Sequence, residues 1–189
     1  MWRIGLVGEA PNDTEAFINL FRKNFKEGLE YFPLVNDIHG SMLDNQKTKH
    51  ILRKQFESEK PDVVIFIRDL DALESDTTQL NLRRDYFTDF NSVVNKRGVY
   101  FLNIFELEAL IIADIDTFNS IYSTSISYLT DPMLQENPKE FLITNTTFPN
   151  KYKDSDNPEI FSKLNFESLK TCRYFSRFLQ TLEAALQVA

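Results

Sequence analysis

The stretch Pro61-Asp-Val-Val-Ile-Phe-Ile-Arg-Asp-Leu-Asp71 constrains the fold more than any other part of the chain. A turn-forming Pro-Asp leads into a short apolar run rich in β-branching, which ends on two aspartates separated by one leucine. An amphipathic helix would need polar residues at helical spacing, so the run is expected to be a central strand of a parallel sheet, covered on both faces. In open α/β sheets ligands bind outside the carboxyl ends of the strands. The simplest reading of the fold therefore delivers Asp69 and Asp71 to the place where chemistry is expected.

Strand and helix signals alternate around this run. Residues 2–8 read as a first strand, with Gly8 allowing a tight exit and Glu9 standing at its carboxyl end. Pro11 suits a helix start, and Phe17, Ile18, Leu20, Phe21 and Phe25 share a face, which predicts a helix from about Asn12 to Glu27, ended by Gly28. Pro33–His39 reads as a second strand interrupted by polar residues, and a second helix is expected from about Asn45 to Glu59. After the central strand, the polar segment from Leu73 reads as a loop over the site, followed by a helix from about Gln79 to Lys96 and a fourth strand over Gly98–Phe105. Glu106–Asp114 reads as a short apolar helix that brings Glu106 and Glu108 to the same sheet edge, with another short helix over Ile115–Ser123. This order predicts an α/β fold: a Rossmann-like central parallel sheet of about four strands flanked by helices. From Ser123 onward, Asp131-Pro132, Asn137-Pro138, Pro149-Asn150 and Asn157-Pro158 mark turns, and Phe166–Val188 is expected to form one or two helices. The expected division is an α/β core over 1–122 and a mostly helical extension over 123–189 packed on it.

A chain of 189 residues, 17 of them Phe, suffices for one domain with a substantial core. Its single cysteine, Cys172, reads as a small core residue; an intramolecular disulfide is excluded and a reduced intracellular setting is favoured. No signal peptide and no long apolar run is apparent, so no membrane association is expected and the cytoplasm is the default address. The net charge of −7 argues against a protein that coats nucleic acid non-specifically, without excluding an enzyme that acts on it. Residues 1–137 hold 14 Lys/Arg against 22 Asp/Glu, a balance of −8, whereas residues 138–189 hold 7 against 6, a balance of +1. Acidity is thus concentrated around the expected site, as it would be if carboxylates there ligate a cation.

Glu9 at the end of strand one converges with Asp69 and Asp71 if the first and third strands are neighbours. Carboxylates so clustered repel one another unless a cation sits among them, and hard oxygen ligands suit Mg2+ or Mn2+. For Asp69 and Asp71 to serve one site, the chain must bend at Leu70. Glu106 and Glu108 read equally as ligands or as acids favoured by a helix start, and Asp13 and Glu15 read as helix-start acids. His39 and His50 read as structural, and Arg83-Arg84 and Lys96-Arg97 as solvated helix faces. Lys139, Lys151, Lys153, Arg173 and Arg177 form the one mildly basic region, able to contact DNA or RNA with Tyr152 and Tyr174 interleaved.

Gly-Leu-Val-Gly-Glu9 followed by Asp13-Thr14-Glu15, together with Val-Ile-Phe-Ile-Arg-Asp69-Leu-Asp71, resembles the TOPRIM domain of topoisomerases, primases and OLD-type nucleases. Phe105-Glu106-Leu107-Glu108-Ala-Leu-Ile-Ile-Ala-Asp114, Asn137-Pro138-Lys139-Glu140 and the segment from Cys172 are similar to small stand-alone bacterial TOPRIM-like proteins linked to defence against phage. The resemblance spans nearly the whole chain through short motifs. It implies a metal-dependent nuclease site with Glu9 as general acid, base or metal ligand and Asp69 and Asp71 as metal ligands. Asp13 matches a further acidic position of OLD-type nucleases. Where the family usually has glycine directly after the strand-one glutamate, this chain has Ala10-Pro11. An alternative expectation is a catalytically silent TOPRIM-like module that binds a partner such as an ATPase; with no Gly-rich Lys-Ser/Thr loop here, ATP hydrolysis would belong to that other chain. A flavodoxin-like phosphoacceptor domain with Asp69 as the modified residue is a third, but it expects a lysine after a later strand, and none closely follows Phe105.

Overall fold

The computed structural model describes residues 1–25, 27–36 and 40–188. Strands β1 (Trp2–Val7), β2 (Leu29–Pro33), β3 (Val63–Asp69) and β4 (Gly98–Asn103) form one all-parallel sheet in the order β2-β1-β3-β4. β3 lies between β1 and β4, with Val7 opposite Phe66 and Asp69 opposite Asn103. It is buried from Val63 to Arg68, which is what an unbroken apolar run in the middle of a parallel sheet requires.

Helices cover both faces. Residues of α2 (Gln46–Glu59) and α3 (Thr77–Val93) bury Leu52, Phe56, Tyr86 and Phe90 against Val7, Val64 and Phe66. On the other face Ile4, Leu6, Ile65, Ile67 and Phe101 meet α1 (Pro11–Asn24), α4 (Ala109–Ala113), α5 (Ile115–Tyr122), α7 (Asn157–Lys163), α8 (Phe166–Leu169) and α9 (Arg173–Val188). Phe161 of α7 lies 5.7 Å from Phe17 of α1, and Phe178 of α9 lies 4.9 Å from Phe101 of β4. Residues on both sides of position 122 thus share one aromatic core, and the abundant phenylalanines are its filling. Between α5 and Asp131 the chain has no helix or strand, and α6 (Pro138–Thr144) follows it. Cys172 is buried, and burial pushes its thiol up to about 12, as suits an inert core residue. Among the described residues no helix is long and apolar enough to cross a membrane.

Two expected boundaries move, each for a local reason. The second strand is Leu29–Pro33, not Pro33–His39, and residues 37–39 of the expected strand, His39 included, lie outside the described residues. Leu29-Glu-Tyr-Phe-Pro buries Tyr31 while Glu30 pairs with Arg3 of β1 at 2.9 Å, and Pro33 is tolerated at the end of an edge strand. Leu34 and Val35 are apolar because they are buried in a turn, with Val35 at φ +56° and its N–H donated to the Gln55 side chain at 2.7 Å. β4 stops at Asn103 because Phe105 takes φ +57° and turns the chain, so Glu106 and Glu108 sit in a turn ahead of α4 and not within a helix. Phe166–Val188 forms two helices, as the pattern allowed, with α8 and α9 separated at Lys170–Cys172.

The entry to α1 places an acid beside the sheet edge. Ala10 is the N-cap with extended backbone, φ −139°, so alanine meets no conformational obstacle where the TOPRIM pattern has glycine. Pro11 supplies the first helical residue, and the Asp13 carboxylate accepts the Ala10 N–H at 3.0 Å. Gly8 is needed for contact: a Cβ there would stand 2.6 Å from Thr14 Oγ1 and 3.1 Å from its backbone nitrogen. Gly8→Ala is expected to push α1 from the end of β1 and lower stability by about 1–3 kcal/mol in urea denaturation.

Candidate active site at the carboxyl ends of β1 and β3

Glu9 lies just past β1, and its Oε1 accepts two bonds from β3: Arg68 Nε at 2.6 Å and the Asp69 N–H at 3.1 Å. Arg68, 2% exposed, points to the α3 side, where its guanidinium lies 4.4 Å from the Tyr86 ring centre and Nη1 donates to Asp44 at 3.0 Å. A buried guanidinium needs acids, and Glu9 and Asp44 meet that need. Asp69, the next residue on the strand, points to the opposite face. Its Oδ1 accepts from Asn103 Nδ2 of β4 at 2.8 Å, while the Oδ1 of fully buried Asn103 has no hydrogen-bond partner among the described residues.

Two further acids arrive from the turn before α4. Glu108 is 3% exposed, and its Oε1 accepts from Tyr152 Oη at 3.0 Å and Asn157 Nδ2 at 3.1 Å. Glu106 Oε2 accepts the Lys139 N–H at the start of α6 at 3.1 Å. The charges of these groups reach one another. Asp13 is raised to about 7 by burial and then by Glu108 and Glu9, against the opposing pull of the Ala10 N–H and Lys139. Asp69 is held well above the usual carboxylate range by burial, then by Glu9, Asp13 and Glu108. Burial also raises Glu106, with Glu108 and Asp71 adding to it. For Lys139, burial opposes the charged form, but Glu108, Asp154 and Glu106 outweigh it and raise its pKa.

Burial and, after it, this repulsion make stability depend on pH with a definite sign. Asp13 and Asp69 are raised in the folded chain, so between the ordinary carboxylate range and about pH 7 the fold binds protons that the unfolded chain does not. Their favourable contribution is complete below the unfolded value and is lost as pH rises through the folded one. The melting temperature in chelator is therefore expected to fall between pH 5 and 7.5, with a shallower fall in Asp13→Asn. A scan that is flat or rising in that window contradicts the clustering.

Glu9, Asp13, Asp69, Glu106 and Glu108 lie near enough for their charges to act on one another. The structure does not bring Asp71 fully in with them: the bend falls at Asp71 itself, φ +58°, and not at Leu70, which is buried. The exposed Asp71 carboxylate accepts from Arg83 Nη2 at 2.8 Å, and Arg83 Nε donates to the Asp69 carbonyl at 2.7 Å. Arg83 is therefore a tie for the strand-end loop and not a solvated helix face, because two acceptors lie within reach of its fork. Glu15 and His50 are exposed. The basic residues do not form one patch: Lys139 pairs with Asp154 at 3.5 Å, Lys151 and Lys153 line a groove with Tyr122 and Phe148, and Arg173 pairs with Glu74 beside Tyr174. Arg177 also acts on Glu74. Tyr152 is no base-stacking platform, since its ring is 1% exposed and its hydroxyl is turned to Glu108.

Sequence reasoning did not identify Arg68, Asn103, Tyr152 and Asn157 as parts of the site. For Arg68 a signal existed: a charge inside an apolar central strand demands a buried partner, and an acid at the adjacent strand end supplies it. Tyr152 and Asn157 carry no such local sign.

The donor set of carboxylate oxygens, with the unpartnered Asn103 Oδ1 next to Asp69, fits a hard divalent cation by its chemistry. As the side chains stand, no three His, Cys, Asp or Glu groups among the described residues are arranged to hold an ion. Residues 9–183 match the family model described as domain of unknown function, DUF4276. No curated protein and no solved structure matches the chain.

Proposed function

We propose that this chain, which belongs to the DUF4276 family of domains of unknown function, is a TOPRIM-like nuclease that hydrolyses phosphodiester bonds with Mg2+ or Mn2+. One observation carries the reading: Glu9 and Asp69 stand at the carboxyl ends of adjacent parallel strands, and burial, together with the charges of Glu9, Asp13 and Glu108, raises the pKa values of Asp69 and Asp13. A group of carboxylates kept in mutual repulsion is costly unless a cation neutralises it.

In this reading Glu9, Asp69 and Glu108 would hold the ion, with Glu106 and Asp71 at the rim. A bound divalent cation would supply Lewis-acid stabilisation of the phosphoryl oxygens and a more acidic water. Arg68 and the Asp69 N–H fix Glu9 through one oxygen, and Asn103 fixes Asp69. Asp13, beside that ligand set, takes the proton that water loses as its oxygen attacks phosphorus. The phosphorus–oxygen bond to the leaving nucleotide then breaks, and that oxygen takes a proton from solvent, to which Asp13 returns the one it accepted. Lys139 provides a cation against the substrate phosphate. A role as an effector against phage rests on the resemblance alone.

The test is incubation with plasmid DNA, linear DNA and RNA in Mg2+, Mn2+ or EDTA. Cleavage of at least one substrate, lost in EDTA, is expected; intact substrates throughout overturn the reading. A second reading, a silent module that docks on a partner such as an ATPase, is favoured by the exposure of Leu129 (95%) and Phe148 (91%), apolar groups that a partner would cover. Under that reading the chain is inert alone and co-purifies with the ATPase, and Phe148→Ser breaks the complex.

A further inference from the structure

We infer that Tyr152 and Asn157, from the C-terminal part of the chain, are positioning residues that set the orientation of Glu108 for cation binding; this deepens the nuclease reading and rests on it. Glu108, Tyr152 and Asn157 are 3%, 1% and 1% exposed. Tyr152 Oη lies 3.0 Å and Asn157 Nδ2 3.1 Å from the same carboxylate oxygen, Oε1, and Tyr152 Oη lies 2.7 Å from Asn157 Oδ1. The other oxygen, Oε2, makes no hydrogen bond among the described residues. The charge on this carboxylate acts on Asp13, Asp69, Glu106 and Lys139. One oxygen is therefore anchored, while the carboxylate lies near enough to the cluster to act on its charges.

The anchor is itself built rigidly. Tyr152 N–H donates to Thr146 Oγ1 at 2.9 Å, and the Tyr152 ring packs against Phe118 and Tyr122 at 5.8 and 6.0 Å between ring centres. Asn157 opens α7, the helix that packs on α1. The same α7–α1 contact thus ties the group that orients Glu108 to the helix that carries Asp13. Plain packing would have been served by Phe at 152, which fills the same volume and leaves no hydroxyl to satisfy. A carboxylate that must bind an ion gains from neighbours that remove its rotational freedom before the ion arrives, and loss of such neighbours typically weakens metal binding by about 10–100-fold.

The experiment is Mn2+ titration of the full chain followed by the paramagnetic resonance signal of free Mn2+, with substrate cleavage measured separately. Tyr152→Phe keeps the ring and removes the donor, and Asn157→Ala removes the second donor. Each is expected to weaken Mn2+ binding about tenfold or more with a near-native melting temperature. Phe118→Leu disturbs the packing around the Tyr152 ring without touching a hydrogen bond; it should lower the melting temperature and leave Mn2+ affinity as in the wild type. Unchanged affinity in both Tyr152→Phe and Asn157→Ala overturns the inference while leaving the metal site standing. Equal weakening in Phe118→Leu also overturns it, since the effect is then one of packing. Absence of Mn2+ binding by the wild type removes the nuclease reading and this inference together.

Discussion

Asp69→Asn and Glu9→Gln both reduce cation-dependent cleavage by on the order of a thousandfold, about 4 kcal/mol in the barrier, yet they move the stability of the cation-free protein in opposite directions. Asp69 is held above the carboxylate range by burial and by Glu9, Asp13 and Glu108, so at pH 7.5 its charge is a cost to the fold. Asparagine keeps the Oδ1 that accepts from Asn103 and removes that charge. The variant melts at a higher temperature in chelator than the wild type. Glu9 has the opposite circumstance: its Oε1 answers a buried guanidinium at 2.6 Å and a backbone N–H at 3.1 Å. Glutamine keeps an acceptor but withdraws the negative charge that Arg68 needs, and the protein melts lower. Two acids one strand apart thus give the same sign in activity and opposite signs in stability. Chelated melting curves beside cleavage rates check both, and a common sign in stability contradicts the assignment of Arg68 to Glu9.

Arg68→Met is the most destabilising single change expected outside the aromatic core. The side chain is 2% exposed, bonded to Glu9 and Asp44, and stacked on Tyr86 at 4.4 Å. Methionine fills much of the stem volume but leaves the Glu9 carboxylate, 21% exposed, without its cation. Breaking a buried pair by removing one partner costs about 3–5 kcal/mol. Arg68→Lys recovers little of it, because Nε and Nη1 reach two different acids through a planar fork that an ammonium lacks. Urea denaturation measures both variants. A loss below about 1 kcal/mol for Arg68→Met shows that the pair contributes nothing net, as exposed pairs often do.

The sheet was legible in the sequence because its central strand has no competing reading. Val63 to Ile67 is apolar on both faces, which a parallel interior strand needs and an amphipathic helix does not. Edge strand β2 was misplaced because only Tyr31 of it is buried, whereas Leu34 and Val35 are buried by a turn and imitate a strand core. Of the site, Glu9 and Asp69 follow from the rule that strand ends face the crevice. Asp71 follows only in part, since the positive φ that turns its carboxylate to Arg83 is a property of the loop and of α3, not of the Asp-x-Asp spacing. Tyr152 and Asn157 were beyond reach for a plain reason: their bonds to Glu108 span 44 and 49 residues, and no periodicity links a turn before α4 to the start of α7.

The central claim, that the acids at the ends of β1 and β3 are a cation site, is tested most directly by the melting temperature at pH 7.5 as Mn2+ is added to wild type and Asp69→Asn in parallel. A ligand at roughly a hundred times its dissociation constant stabilises by about 2.7 kcal/mol, which for a chain of this size is on the order of 5–10 °C. The account predicts a saturable rise of that order in the wild type and little or none in Asp69→Asn. No rise in the wild type, or an equal rise in both, contradicts it.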